Sequence, residues 1–214
     1  MKKLLLLASV LFVVSCSNAQ EKITNQRYKE LRIGLNYGKA KQSIYPFNNW
    51  NYIYENSYFK AQINYLWKQK NNFRFEVNIE PSIYFSKHQL LRWDYIFPDQ
   101  YGPNFQELRD LYTQTRSFNE YAINFGLITR YELSSNLSSY IILSIGPAYG
   151  SKSTERLKKG FTFSDIAGLG IYYNYKKFIL DMRLTIRHIS NLNISFPNKG
   201  HNSVGLETGV SFIL

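Results

Sequence analysis

Residues 73–85 read FRFEVNIEPSIYF, and this stretch decides the fold. Phe73, Phe75, Val77, Ile79, Ile83 and Phe85 fall on one parity, while Arg74, Glu76, Asn78, Glu80 and Ser82 fall on the other. A two-residue period sends successive side chains to opposite faces of an extended chain, so this is a β-strand with one apolar and one charged face. The stretch before it repeats the pattern, with Phe59, Ala61, Ile63, Tyr65 and Trp67 opposing Lys60, Gln62 and Asn64. The stretch after it sets Tyr121, Ile123, Phe125 and Leu127 against Glu120, Ala122, Asn124 and Gly126. Noisier alternation near 31–38, 137–149 and 161–173, and strong alternation at 178–191 and 202–213, bring the total to eight predicted strands.

The connections alternate in length. Those between strands 2–3, 4–5 and 6–7 span about four residues (68–71, 133–136 and 174–177), and the others run to roughly ten to thirty. Short turns at one end and long loops at the other predict an all-β, eight-stranded antiparallel up-and-down transmembrane barrel, with strands of about 10 to 14 residues tilted across the hydrocarbon layer. A soluble lipocalin-like barrel is the competing architecture, but its apolar face would point inward. Eight strands enclose a space that side chains fill, which argues against a general porin.

The first residues fit export. Lys2 and Lys3 precede an apolar run from Leu4 to Val14 and a small-residue zone, Ser15-Cys16-Ser17-Asn18-Ala19, so residues 1–19 read as a signal peptide and 20–214 as a single barrel domain. Val13-Val14-Ser15-Cys16 also has the form of a lipobox ending at Cys16, the sole cysteine; either cleavage leaves no disulfide. The expected location is the bacterial outer membrane. The net charge of +11 favours anionic partners. Zinc-ligand spacing, an RNA-binding signature and a basic amphipathic helix are all missing from the sequence, so nucleic acid is not among the expected partners. No cofactor or metal is expected either, and His88 and His201 lack an accompanying carboxylate cluster.

In the seventh strand the even positions run Leu180, Met182, Leu184, Ile186, His188, Ser190, so two polar groups sit on the apolar face where the strand meets the last external loop. Asn202 has the same parity at the adjoining end of the eighth strand, whereas Glu207 points into the lumen with Ser203 and Ser211. Polar groups beside hydrocarbon are costly unless they serve a purpose. A histidine two residues from a serine on one face can act as its base, with a third group fixing the imidazole tautomer. An H-x-S pair also occurs simply as interfacial polar residues. Ser57-Tyr58-Phe59-Lys60 matches S-x-x-K, but a strand puts its serine and lysine on opposite faces.

The longer string is more specific. Arg187-His188-Ile189-Ser190-Asn191, then Pro197-Asn198-Lys199-Gly200 and a final amphipathic strand, closely resembles the active-site signature of the lipid A 3-O-deacylase family, the PagL-like outer-membrane enzymes. The resemblance implies hydrolysis of an ester-linked acyl chain on lipid A, with Ser190 as nucleophile and His188 as general base. It makes Asn191 a candidate oxyanion-hole contributor. At the position where the family places an acid this chain has Asn202, which can orient the ring but brings no negative charge. Lys152, Arg156, Lys158, Lys159 and Lys199 could meet lipid A phosphates, or could be merely solvated.

The expected partners are therefore lipid A, as lipopolysaccharide in the outer leaflet, and the membrane itself; a homodimer stays open. The alternative function is a non-catalytic barrel that binds lipopolysaccharide or a surface partner. Its motive is Arg92, Trp93, Tyr95, Phe97, Tyr101 and Arg109 in the long connection 86–117.

Overall fold

The computed structural model describes residues 30–214; the expected signal peptide and Cys16 lie outside the described residues. Eight strands follow one another in the chain: β1 (Leu31–Lys41), β2 (Tyr52–Lys70), β3 (Phe73–Leu90), β4 (Arg116–Glu132), β5 (Leu137–Gly150), β6 (Gly160–Tyr175), β7 (Phe178–Ser190) and β8 (His201–Ile213). Each pairs antiparallel with the next, and β8 closes on β1.

Alternation along each strand sorts side chains to the two sides of the closed sheet. The outer side carries bare apolar groups such as Leu35, Leu143 and Leu169, each more than 60 % exposed. The inner side carries buried charges. Arg183 places Nε 2.6 Å from Glu207 Oε2 and Nη2 2.7 Å from Glu80 Oε1, and Lys60 Nζ lies 2.6 Å from Glu207 Oε1. Nearer the short-turn end, Glu76 pairs with both Arg32 and Arg130. Desolvating such groups is expensive, and only mutual pairing with good geometry offsets it. Apolar outside and ionic inside is the reverse of a lipocalin-like carrier, and it suits a barrel whose solvent is lipid. Buried tyrosines help fill the lumen, where a void of ≈ 10 Å³ lies beside Tyr58, Lys60 and Arg187.

Four strands are longer than expected, β6 with its 16 residues among them. β2, β3 and β4 have 19, 18 and 17 residues, because their alternation continues beyond the hydrocarbon level. There Tyr52, Tyr54, Ser86, His88, Phe118 and Glu120 still point inward and fill the outer mouth. The turns at the opposite end are tighter. Register shifts between Leu66 and Lys68, leaving Trp67 as a bulge, and the β2–β3 turn contracts to Asn71-Asn72 with Asn71 at φ 52°. The β6–β7 turn similarly contracts to Lys176-Lys177, whereas 133–136 forms the expected connection.

The connection expected to be loop from 86 to 117 is shorter and partly helical. A 3₁₀ turn at Trp93–Tyr95 leads into α1 (Pro98–Tyr101) and α2 (Phe105–Thr113). These pack a small core of Leu90, Ile96 and Tyr112, flanked by Tyr95, Tyr101, Phe105 and Leu108, outside the barrel mouth.

Candidate active site at the outer rim

β7 ends with Arg187 turned inward, its guanidinium 2.6 Å from Glu120 and 3.7 Å over the Tyr84 ring. That inward anchor fixes the parity of the next residue, so His188 faces outward. Across β8 its direct neighbour is Asn202, and His188 Nδ1 lies 2.7 Å from Asn202 Oδ1. Ser190 shares the outward side but is only 8 % exposed, which breaks the alternation of β7. The cause is the returning loop. Gly200, at φ 65°, passes so close that a Cβ there would lie 2.5 Å from the Ile189 carbonyl oxygen, 3.1 Å from His188 Cε1 and 3.4 Å from Ser190 Cβ. Only glycine combines a left-handed backbone with that approach. The strand thus delivers the serine to the outer side, and the loop covers it.

Asn191 is buried and clamps this loop. Its backbone N–H donates to Asn198 Oδ1 at 2.7 Å, and its side-chain amide donates to the Ser195 carbonyl at 2.8 Å and to Ser195 Oγ at 3.0 Å. The donors expected to meet an oxyanion are therefore already engaged within the loop.

The β5–β6 loop braces the β7–β8 loop from the other side. Leu157 bridges to Asn198, and the Lys199 and Gly200 N–H groups both donate to the Arg156 carbonyl, at 2.7 and 3.1 Å. The Arg156 guanidinium returns a bond to the Gly200 carbonyl at 2.8 Å and stacks 4.3 Å over Tyr52. Of the cations expected to meet phosphate, Arg156 is thus drawn into the scaffold. Lys152, Lys158, Lys159 and Lys199 remain exposed, with Lys199 Nζ 4.1 Å over the Tyr95 ring.

An open cleft of ≈ 500 Å³ adjoins Lys199, lined by Arg92, Asp94, Tyr95, Phe97, Asp99 and Gln100. Within it Arg92 donates to both Asp94 oxygens at 2.8 and 3.0 Å, which lowers that carboxyl below the ordinary carboxylate range. Glu207 lies deep in the lumen, as its parity requires. His88 pairs with Glu155 at 3.2 Å beneath the loops, and no group of three or more metal-ligating side chains gathers among the described residues.

One residue near the site escapes a reading of the motif. Asp165 on β6 is the direct neighbour of His188 on the side opposite Asn202. Its signal in the sequence is a lone acid among Phe161, Phe163, Ala167, Leu169 and Ile171, within the noisiest of the alternating segments.

Fold and site together define an integral outer-membrane β-barrel with a polar cluster on its outer face, at the end that carries the long loops. The sequence model of the lipid A 3-O-deacylase (PagL) matches residues 30–211, and the chain belongs to that family. Among solved structures it is similar to the outer-membrane enzyme PagL, with TM-score 0.55 and 13 % identity over 83 % of this chain and 97 % of that one. Neisserial surface protein A follows, with TM-score 0.47 and 16 % identity over 85 % and 96 % of the two chains. At 13 % identity the likeness to the outer-membrane enzyme PagL speaks for the fold alone. No curated protein matches the sequence.

Proposed function

We propose that this protein hydrolyses an ester-linked acyl chain of lipid A in the outer leaflet, with Ser190 as nucleophile and His188 as general base. The observation that carries the reading is the 2.7 Å hydrogen bond between His188 Nδ1 and Asn202 Oδ1, on the side of the barrel that also bears Ser190. An amide oxygen only accepts, so the proton resides on Nδ1 and Nε2 keeps its lone pair. That is the tautomer a base needs.

As Ser190 Oγ attacks the ester carbonyl, its proton passes to His188 Nε2 and a tetrahedral oxyanion forms. Collapse expels the sugar oxygen, which takes the proton from His188 and leaves an acyl-serine. Water, deprotonated by the same imidazole, releases the fatty acid. Asn191 can serve the oxyanion once substrate displaces one of its loop partners; until then it holds the loop in place. Exposed Lys152, Lys158, Lys159 and Lys199 lie near the headgroup level, where lipid A phosphates would meet them. A site on the outer face receives a membrane substrate by lateral diffusion, without extraction from the leaflet.

Mass spectrometry of lipid A from cells producing the protein should show loss of one acyl chain, and Ser190→Ala should abolish that loss. Continued deacylation by Ser190→Ala would remove Ser190 from the nucleophile's role. Unchanged lipid A with the native chain, together with saturable lipopolysaccharide binding through the Arg92–Lys199 cleft, would instead favour the non-catalytic reading.

A further inference from the structure

Asn202 leaves the proposed mechanism one charge short. Proton transfer from Ser190 turns His188 into an imidazolium, and a neutral amide can orient the ring without balancing its charge. The register supplies a carboxylate on the other flank. Asp165, His188 and Asn202 are side by side across β6, β7 and β8 on the outer face. Directly opposed residues on neighbouring antiparallel strands hold their Cβ atoms about 4.5–5.5 Å apart.

Asp165 is otherwise out of place. On the outward faces of β5 to β8 the remaining side chains are apolar or uncharged up to the site, and Asp165 is the one carboxylate among them. Its Oδ1 is buried with no hydrogen-bond partner, and no lysine or arginine among the described residues forms an ion pair with it. A half-buried carboxylate with one oxygen sealed off and unpaired beside lipid is unfavourable, so its presence calls for a partner. The Arg187 charge also reaches Asp165, but that guanidinium is turned inward and paired with Glu120, so the neighbour on the outer face that can become a cation is His188.

We infer that Asp165 is a positioning residue for the reaction, supplying from β6 the negative charge that stabilises the His188 imidazolium in place of an acid at position 202. Resting on the deacylase reading, the role is a difference between states: Asp165 is poorly paired before proton transfer and well paired after it. Interactions stronger in the transition state than in the ground state are the ones that raise the rate.

The test compares acyl release from purified lipid A by the native full-length barrel and three variants, with folding checked by heat-dependent gel mobility. Asp165→Asn should slow release on the order of tenfold or more. Asp165→Glu should retain most of the activity, and Asn202→Glu introduced into Asp165→Asn should restore it, because either flank can then supply the charge. A folded Asp165→Asn chain with native activity overturns the inference, as does loss of activity that Asn202→Glu fails to restore. If the native chain itself releases no acyl group, the deacylase reading falls and takes this role with it. Native activity alongside an indifferent Asp165 removes only the role of Asp165.

Discussion

At the residue scale, a single glycine governs the geometry of the site. Gly200 lets the loop descend onto Ser190 and His188, and any side chain there meets the Ile189 carbonyl first. Gly200→Ala adds a left-handed strain of about 1–2 kcal/mol and the overlap on top of it. We expect a barrel that still folds but loses most of its acyl release, measured on lipid A against heat-dependent gel mobility. Native activity in that variant would show that the loop does not set the geometry of the pair. The H-x-S pair and its parity were legible in the sequence, because a two-residue period needs no knowledge of neighbours. The burial of Ser190 was not legible, since it depends on a residue ten positions away returning across the strand end. Asp165 was hidden for a similar reason: which residue of β6 stands beside His188 is a matter of register between strands.

At the scale of elements, the β7–β8 loop is a braced piece of structure. Asn191 and Asn198 close it internally, and the Arg156 backbone and guanidinium fasten it to the β5–β6 loop. Asn198→Ala removes the acceptor of the buried Asn191 N–H, which costs about 1–3 kcal/mol locally. Limited proteolysis should then cut within 191–200 faster than in the native chain while the barrel resists, and an unchanged cleavage rate would show that this clamp contributes little. The helices between β3 and β4 reach the same assembly, since the Tyr101 hydroxyl donates to the Glu155 carbonyl at 3.0 Å. Burial lifts the Tyr101 phenol above its ordinary value. The sequence marked that connection as aromatic and charged but did not reveal its helices. Its apolar residues pack over the mouth of the barrel, so their spacing reflects a tertiary surface as much as a helical period.

At the scale of the molecule, stability rests on two solvents. The outer face depends on lipid, and the interior depends on a chain of buried ion pairs. Glu207 accepts from Lys60, Arg183, Tyr58 and Thr185 at once. Glu207→Leu would strand Lys60 and Arg183 with less compensation and should destabilise the barrel by about 3–5 kcal/mol in urea unfolding from detergent or lipid. Leu143→Arg, at the middle of β5 on the lipid side, should cost about 2–4 kcal/mol in the same measurement. A barrel in which neither substitution mattered would not be divided into lipid-facing and ionic sides.

The linear pattern of residues was enough to specify the architecture and the side chains offered to the outer rim. Parity and loop length are local properties, and a closed eight-stranded sheet leaves little freedom once both are set. FRFEVNIEPSIYF already separates the lipid face from the lumen, and RHISN already places a histidine and a serine on the same side. The surroundings of that pair were completed by the packing of the closed barrel. Pairing β7 with β8 brings Asn202 to the imidazole, pairing it with β6 brings Asp165 to the opposite flank, and the descent of Gly200 covers the serine. Asn202 was readable because it lies on the next strand in the chain, whereas Asp165 and the cover over Ser190 come from segments related only by register and loop packing and were not.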